Sequence, residues 1–272
     1  MARAFSNSNP ALSDAAFERI TASEAGWAAG AQQKVQEDLG IPAATRTDTM
    51  TVNGTIWATA ALLVLVVIGG TYGWNQVDTT STEPSLPGWI FPVALVAFGV
   101  AIITCFKPNL ARITGPIYAL LQGTFLGAIS GIYNEVWNGI AIQAVMLTIG
   151  VFAVMLFLYG TRIIKVTEKL RMGIVAATGA VCLVYIANMV LSLFGANLPF
   201  LHDAGPIGVG ISLVIVGVAA FNLLLDFDFV EKGVAAGAPA KTEWYAAFGL
   251  LVTIVWLYLE LLRLLALLQG RD

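Results

Sequence analysis

The chain predicts an all-α membrane protein, a bundle of seven transmembrane helices, on three observations. Of its 272 residues 58% are hydrophobic and only 11% charged, with a mean hydropathy of +0.80. A soluble domain carries about 25% charge, so this composition cannot cover a water-facing surface. Seven apolar stretches follow one another, each close to the roughly 20 residues that a helix needs to cross a ~30 Å hydrocarbon core. Among the connections between those stretches, finally, lysine and arginine occur only in alternate ones.

The first 54 residues precede the bundle. They lack the apolar core of 7–15 residues that marks a secretory signal, so the first span is expected to act as its own insertion signal. Ser6-Asn7-Ser8-Asn9-Pro10 and a helix starting near Ser13, with Phe17 and Ile20 on one side, allow two readings. One is a partly disordered cytosolic tail; the other is an amphipathic helix on the membrane or on the bundle. Residues 55–272 then carry the expected spans Ile56–Trp74, Gly88–Phe106, Ile113–Tyr133, Val136–Gly160, Met172–Phe194, Pro206–Phe227 and Ala246–Leu268. The second ends at Lys107-Pro108, where proline removes a backbone donor and stops the helix.

The connections after the second, fourth and sixth spans hold Lys107, Arg112, Arg162, Lys165, Lys169, Arg171, Lys232 and Lys241, and the other three hold none. Basic residues stay cytoplasmic. The N-terminus is therefore expected inside and the C-terminus outside. The net charge of −3 and the absence of a basic patch argue against a nucleic-acid partner.

Small residues recur every fourth position in the third span, at Gly115, Ala119, Gly123, Gly127 and Gly131. Such a stripe lets a neighbouring helix approach closely. Gly173, Ala176, Ala177 and Ala180 in the fifth span, with Gly210 and Gly217 in the sixth, extend the expectation of tight packing. Gln122, Thr124, Ser130 and Asn134 either line a polar cavity or bond between helices. Cys105 and Cys182 are lone intramembrane residues that read as apolar filler rather than a disulfide or metal site.

Enzyme chemistry finds no support in the chain. Gly127-Ala128-Ile129-Ser130-Gly131 would need a membrane-embedded base to activate the serine, and the only histidine, His202, falls in an outer loop. The motifs of intramembrane aspartyl proteases are missing, and no lysine follows Lys241 to hold retinal. No cofactor is expected.

Chemistry concentrates instead on Asp226 and Glu260, inside the last two spans. A charge at membrane depth costs at least about 2.5–3.5 kcal/mol, and such residues usually face a bundle interior and mark an ion or proton path. Asn222 and Asp226 lie one helical turn apart, whereas Asp228 is rotated about 200° from Asp226. Asp228, nearer the cytoplasm, reads either as an interfacial charge or as a second polar ligand. Glu260 and Arg263 have the spacing of an intrahelical ion pair. In the alternative, Glu260 meets Asp226, where two adjoining carboxylates cannot both ionise cheaply and would share a proton. When ionised, that pair would offer hard oxygens to calcium.

Leu225-Asp226 closing the sixth span, Leu257-Tyr258-Leu259-Glu260 in the seventh, and the third span from Gly115-Pro116-Ile117-Tyr118 to Gly127-Ala128-Ile129-Ser130-Gly131 resemble the transmembrane Bax inhibitor motif family, in a bacterial branch. The resemblance covers roughly residues 54–272. It implies a seven-helix bundle in the plasma membrane with the last helix central, acting as a pH-sensitive calcium leak channel. Asp226 and Glu260 would stand at the positions of the family's paired acids. The second acid is glutamate here where aspartate is common. The basic cluster that bacterial relatives place between the second and third spans is reduced to Lys107 and Arg112 around Asn109, which leaves Arg263 as a possible replacement counter-charge. A different class of function is a non-conducting adaptor that modulates a membrane protease or stress-response complex through its cytosolic tail. Deleting residues 1–46 would separate the two, because an adaptor loses its partner while a channel keeps its flux.

Overall fold

The computed structural model describes residues 49–77, 85–195 and 205–270. The N-terminal segment ahead of Thr49 and the segment carrying His202 lie outside the described residues. Among those described, seven α-helices follow in order: α1 (Val52–Trp74), α2 (Ile90–Phe106), α3 (Ala111–Val136), α4 (Ile140–Gly160), α5 (Glu168–Leu193), α6 (Pro206–Ala235) and α7 (Thr242–Gln269), with a single 3-10 turn, Pro108–Leu110, between α2 and α3. Six are long and apolar enough to cross a membrane. The protein is an integral membrane protein.

The exception is α2. Its 17 residues reach roughly 25 Å at 1.5 Å per residue, short of a ~30 Å core. Pro87 and Gly88 delay its start, and Pro108 stops it after Phe106. The expected second span is thus shorter than the sequence reading has it, while the sixth is longer. Helix α6 continues through the charged end to Ala235, so Asp226, Asp228, Glu231 and Lys232 all hold fixed helical register. The boundary between the third and fourth spans also moves. Gly139 adopts a left-handed φ of 83° and donates its N–H to Asn134 Oδ1 at 2.9 Å. That turn separates α3 from α4, and it makes Asn134 a turn residue rather than a cavity lining.

Large apolar side chains cover the outside: Trp57 is 76% exposed, Leu95 71% and Ile207 70%. Only lipid accommodates such a surface. Inside, α7 packs against α1, α3, α4 and α6. Tyr118 of α3 meets Phe248 of α7 edge-on with ring centres 5.2 Å apart, and Leu251, Leu257 and Leu262 of α7 are all but fully buried.

The most intimate contact joins α1 and α3. A Cβ added at Gly123 would lie 2.3 Å from the Val66 carbonyl oxygen, at Gly127 1.9 Å from that of Gly70, and at Gly73 1.9 Å from that of Thr124. The small-residue stripe of α3 therefore does meet a neighbour. Its partner stripe, Gly69-Gly70 with Gly73 on α1, was hidden in an otherwise bulky span. The same expectation fails in α5 and α6, where Gly173, Gly210 and Gly217 have no atom within 4 Å of an added Cβ. No helix packs closely on these glycines.

The chain ahead of α1 is tied to the α6–α7 turn. Thr49 bridges Pro239, Met50 N–H donates to the Ala238 carbonyl at 2.7 Å, and the Glu243 carboxylate accepts from both the N–H and the hydroxyl of Thr51 at 2.8 and 2.9 Å. Thr51 in turn caps α1 by accepting from Gly54 N–H at 2.9 Å. An acid from α7 thereby satisfies the positive N-terminal end of α1.

Replacing Gly127 with alanine should force α1 and α3 apart and cost about 1–3 kcal/mol as overpacking, read as a lower thermal unfolding midpoint in detergent. Gly150→Ala in α4, where nothing lies within 4 Å, should leave the midpoint in place or raise it. Equal responses at the two sites would refute this account of the contact.

Candidate functional site

Asp226 sits on α6 where it faces α7. Gly249 of α7 lies beside it: a Cβ there would rest in ordinary contact, 3.7 Å from Asp226 Oδ1. Thr253, one turn further along α7, brings its hydroxyl beside the same carboxyl while also donating to the Gly249 carbonyl at 3.3 Å. The second oxygen, Oδ2, is buried and has no hydrogen-bond partner among the described residues. Among the described residues this carboxyl has no cation beside it and only a hydroxyl for support.

Glu260 is in a different environment. It is 4% exposed, and its Oε1 accepts from the Tyr185 hydroxyl at 2.6 Å and from Trp256 Nε1 at 3.2 Å. Its Oε2 lies 3.5 Å from Arg263 Nη2. Arg263 also donates through Nη1 to the Tyr185 hydroxyl, and its guanidinium stands 5.5 Å from the centre of the Tyr185 ring. Tyr185 thus accepts from the arginine, donates to the glutamate and offers the cation a π-face. The sequence spacing of Glu260 and Arg263, three residues on one helix, brings acid and base together without help from a second helix.

The structure does not bring Asp226 and Glu260 together. Asp226 is level with Gly249 and Thr253, and Glu260 lies seven residues beyond Thr253, about 10 Å along the axis of α7. The extra methylene of glutamate cannot span that distance. The two acids that the sequence reading joined as a proton-sharing calcium site are held apart, one beside a threonine and the other beside an arginine.

The remaining predicted residues also separate. Asp228 is 8% exposed and pairs with Arg171 of α5 at 2.6 Å and Lys232 of α6 at 2.8 Å. It is a neutralised charge at the end of the span carrying the basic connections. Asn222 donates to the Thr178 hydroxyl of α5 and to the Val218 carbonyl, both at 2.8 Å. Lys107 and Arg112 are exposed around the α2–α3 turn, and neither forms an ion pair with these acids among the described residues. Arg263 alone of the three candidate counter-charges contacts a membrane acid.

Sequence reasoning missed Tyr185 and Thr253. A tyrosine in an apolar span looks like filler until the arginine is seen to need an acceptor. It also missed Glu231, which bonds Tyr159 and Arg162 at the end of α4, and the Ser130–Tyr258 hydroxyl contact at 2.6 Å between α3 and α7. The last contact assigns Ser130 to interhelical bonding.

Removing one partner of a buried ion pair leaves an uncompensated charge, which costs about 3–5 kcal/mol. Arg263→Met should therefore lower stability by that order, while Glu260→Gln combined with Arg263→Met should recover most of the loss. Thermal unfolding of the three proteins in detergent measures the coupling, and additive losses would refute it.

Comparison with known proteins adds one result to this geometry. No curated protein matches the chain. The family model described as Bax inhibitor 1 like matches residues 9–270. That match spans nearly the whole sequence, all seven helices and every acid described above: the chain belongs to the Bax inhibitor 1 like family.

Proposed function

We propose that this protein is a cation leak channel of the bacterial plasma membrane, with calcium as the transported ion and Asp226 as the charged group in its path. The observation that carries the reading is the Asp226 carboxyl, inside a membrane-spanning helix and, among the described residues, with no cation beside it and one oxygen unpartnered. The other two acids predicted for the site are neutralised: Asp228 by Arg171 and Lys232, Glu260 by Arg263. A group that carries unbalanced charge at such cost is retained for an ion or a proton.

In this reading the last helix is the central one of seven, with the short α2 completing the set. Its contacts with four other helices and its greater burial, 61% of its apolar window against 6% for α5, support that arrangement. The N-terminus is cytoplasmic, on the side of Lys107, Arg162, Lys169 and Lys232. Ionised Asp226 attracts a hard cation that prefers oxygen ligands, with Thr253 and backbone carbonyls of α6 and α7 as neutral neighbours. One carboxylate binds such an ion weakly, which suits passage rather than storage. Protonation removes the attraction, so pH sensitivity enters through a single acid instead of a shared pair. The Glu260–Arg263 pair adds no net charge and acts as a fixed support beside the path.

Calcium flux into proteoliposomes, titrated across pH 5–8, tests the proposal. Asp226→Asn should cut flux at least tenfold and abolish its pH dependence, whereas Glu260→Gln should reduce flux but leave a titration. Unchanged flux in Asp226→Asn, or no calcium flux in the parent protein, would overturn it.

A further inference from the structure

Helix α5 is bound to the rest of the protein in an unusual way. Ile174 is its single buried residue among those described, and Met172 and Leu183 on its outer side are 68% and 67% exposed. Beside it, Gly173 and Ala177 of α5 face Val218 and Phe221 of α6 across an apolar cleft of about 280 Å³. Knobs-into-holes packing, the ordinary source of cohesion between membrane helices, is therefore scarce along this seam.

Polar contacts at three positions seven residues apart tie it to α6 and α7. Arg171 reaches Asp228 on α6 at 2.6 Å, Thr178 accepts from Asn222 on α6 at 2.8 Å, and Tyr185 bonds Glu260 and Arg263 on α7. Seven residues are about two turns, or roughly 10 Å, so the three contacts form one stripe that runs most of the way across the bilayer. The first two join α5 to α6, and the third joins it to the buried Glu260 of α7. Hydrogen bonds between membrane helices are individually weak, and two of these three contacts also involve charged groups, Asp228 with Arg171 and Glu260 with Arg263. Three such pins release more readily than an interdigitated apolar seam, because they exchange for water as it enters.

We infer that α5 is the movable wall of the conduit, held closed by Arg171, Thr178 and Tyr185, and that its displacement opens the polar seam of α6 and α7 to ions. This assignment rests on the channel reading above. Tyr185 is a positioning residue: it sets where α5 stands and does not bind the ion.

Two measurements on the full-length protein in proteoliposomes test it. Spin labels on the two native cysteines, Cys105 of α2 and Cys182 of α5, both exposed, report the position of α5 without further substitution. Tyr185→Phe keeps the ring and removes the hydroxyl, and should broaden the Cys105–Cys182 distance distribution and raise calcium flux several-fold. An unchanged distribution would overturn the inference whether or not the protein conducts. In a Cys105→Ser, Cys182→Ser background, Ala177→Cys with Val218→Cys places one thiol on each side of the cleft. Joining them with a short reducible cross-linker should cut flux at least tenfold, and reduction should restore it. Full flux in the cross-linked protein would overturn the moving wall while leaving the channel reading intact. Absence of flux before cross-linking would instead overturn the channel reading, and the label distances would then decide the mobility of α5 by themselves.

Discussion

Hydrocarbon offers no hydrogen bonds, so each charge carried into the bilayer has to be answered by another group of the same chain. This constraint organises the polar half of the structure. Glu260 is answered by Arg263, Tyr185 and Trp256, Asp228 by Arg171 and Lys232, and Glu231 by Arg162 and Tyr159. Against that background of neutralised acids, Asp226 stands out because its neighbours are a glycine and a hydroxyl.

Apolar packing follows a second rule and sorts the helices into tight and loose. Helices α1 and α3 approach until backbone meets backbone, with Gly69, Gly73, Gly123 and Gly127 in the contact. Dispersion and close approach supply the cohesion there, since lipid leaves no hydrophobic drive between helices. Helix α5 lies at the other extreme, with glycines on which no helix packs closely and polar pins at three positions. In the proposed channel, the α1–α3 pair belongs to the fixed frame and α5 is the element cheap to displace.

The carboxylate pairing shows how far the membrane acids could be read before folding. Asp226 and Glu260 were conspicuous as charges in apolar spans, and the Glu260–Arg263 spacing was visible as one of two possible pairings. The choice between them depends on the axial register of α6 against α7. That register follows from Gly249 and Thr253 meeting Asp226, and neither residue announces itself in an apolar helix. Asp228 presented the same problem. Its rotation away from Asp226 was computable from the helical repeat, but its cation, Arg171, comes from 57 residues upstream.

The sequence by itself determined the membrane class, the order and approximate bounds of the helices, which connections carry the basic residues, and the few residues whose burial demands an account. These follow from local quantities: hydropathy over about 20 residues, the spacing of small side chains, and charge per connection. Only the tertiary structure decided which acid is neutralised and which is left with a hydroxyl, which glycines touch a backbone and which do not, and that Tyr185 joins α5 to α7. Those outcomes turn on the rotation and axial offset of one helix against another, to within a fraction of a turn. They are set by the sum of many weak contacts, and no stretch of sequence carries them alone.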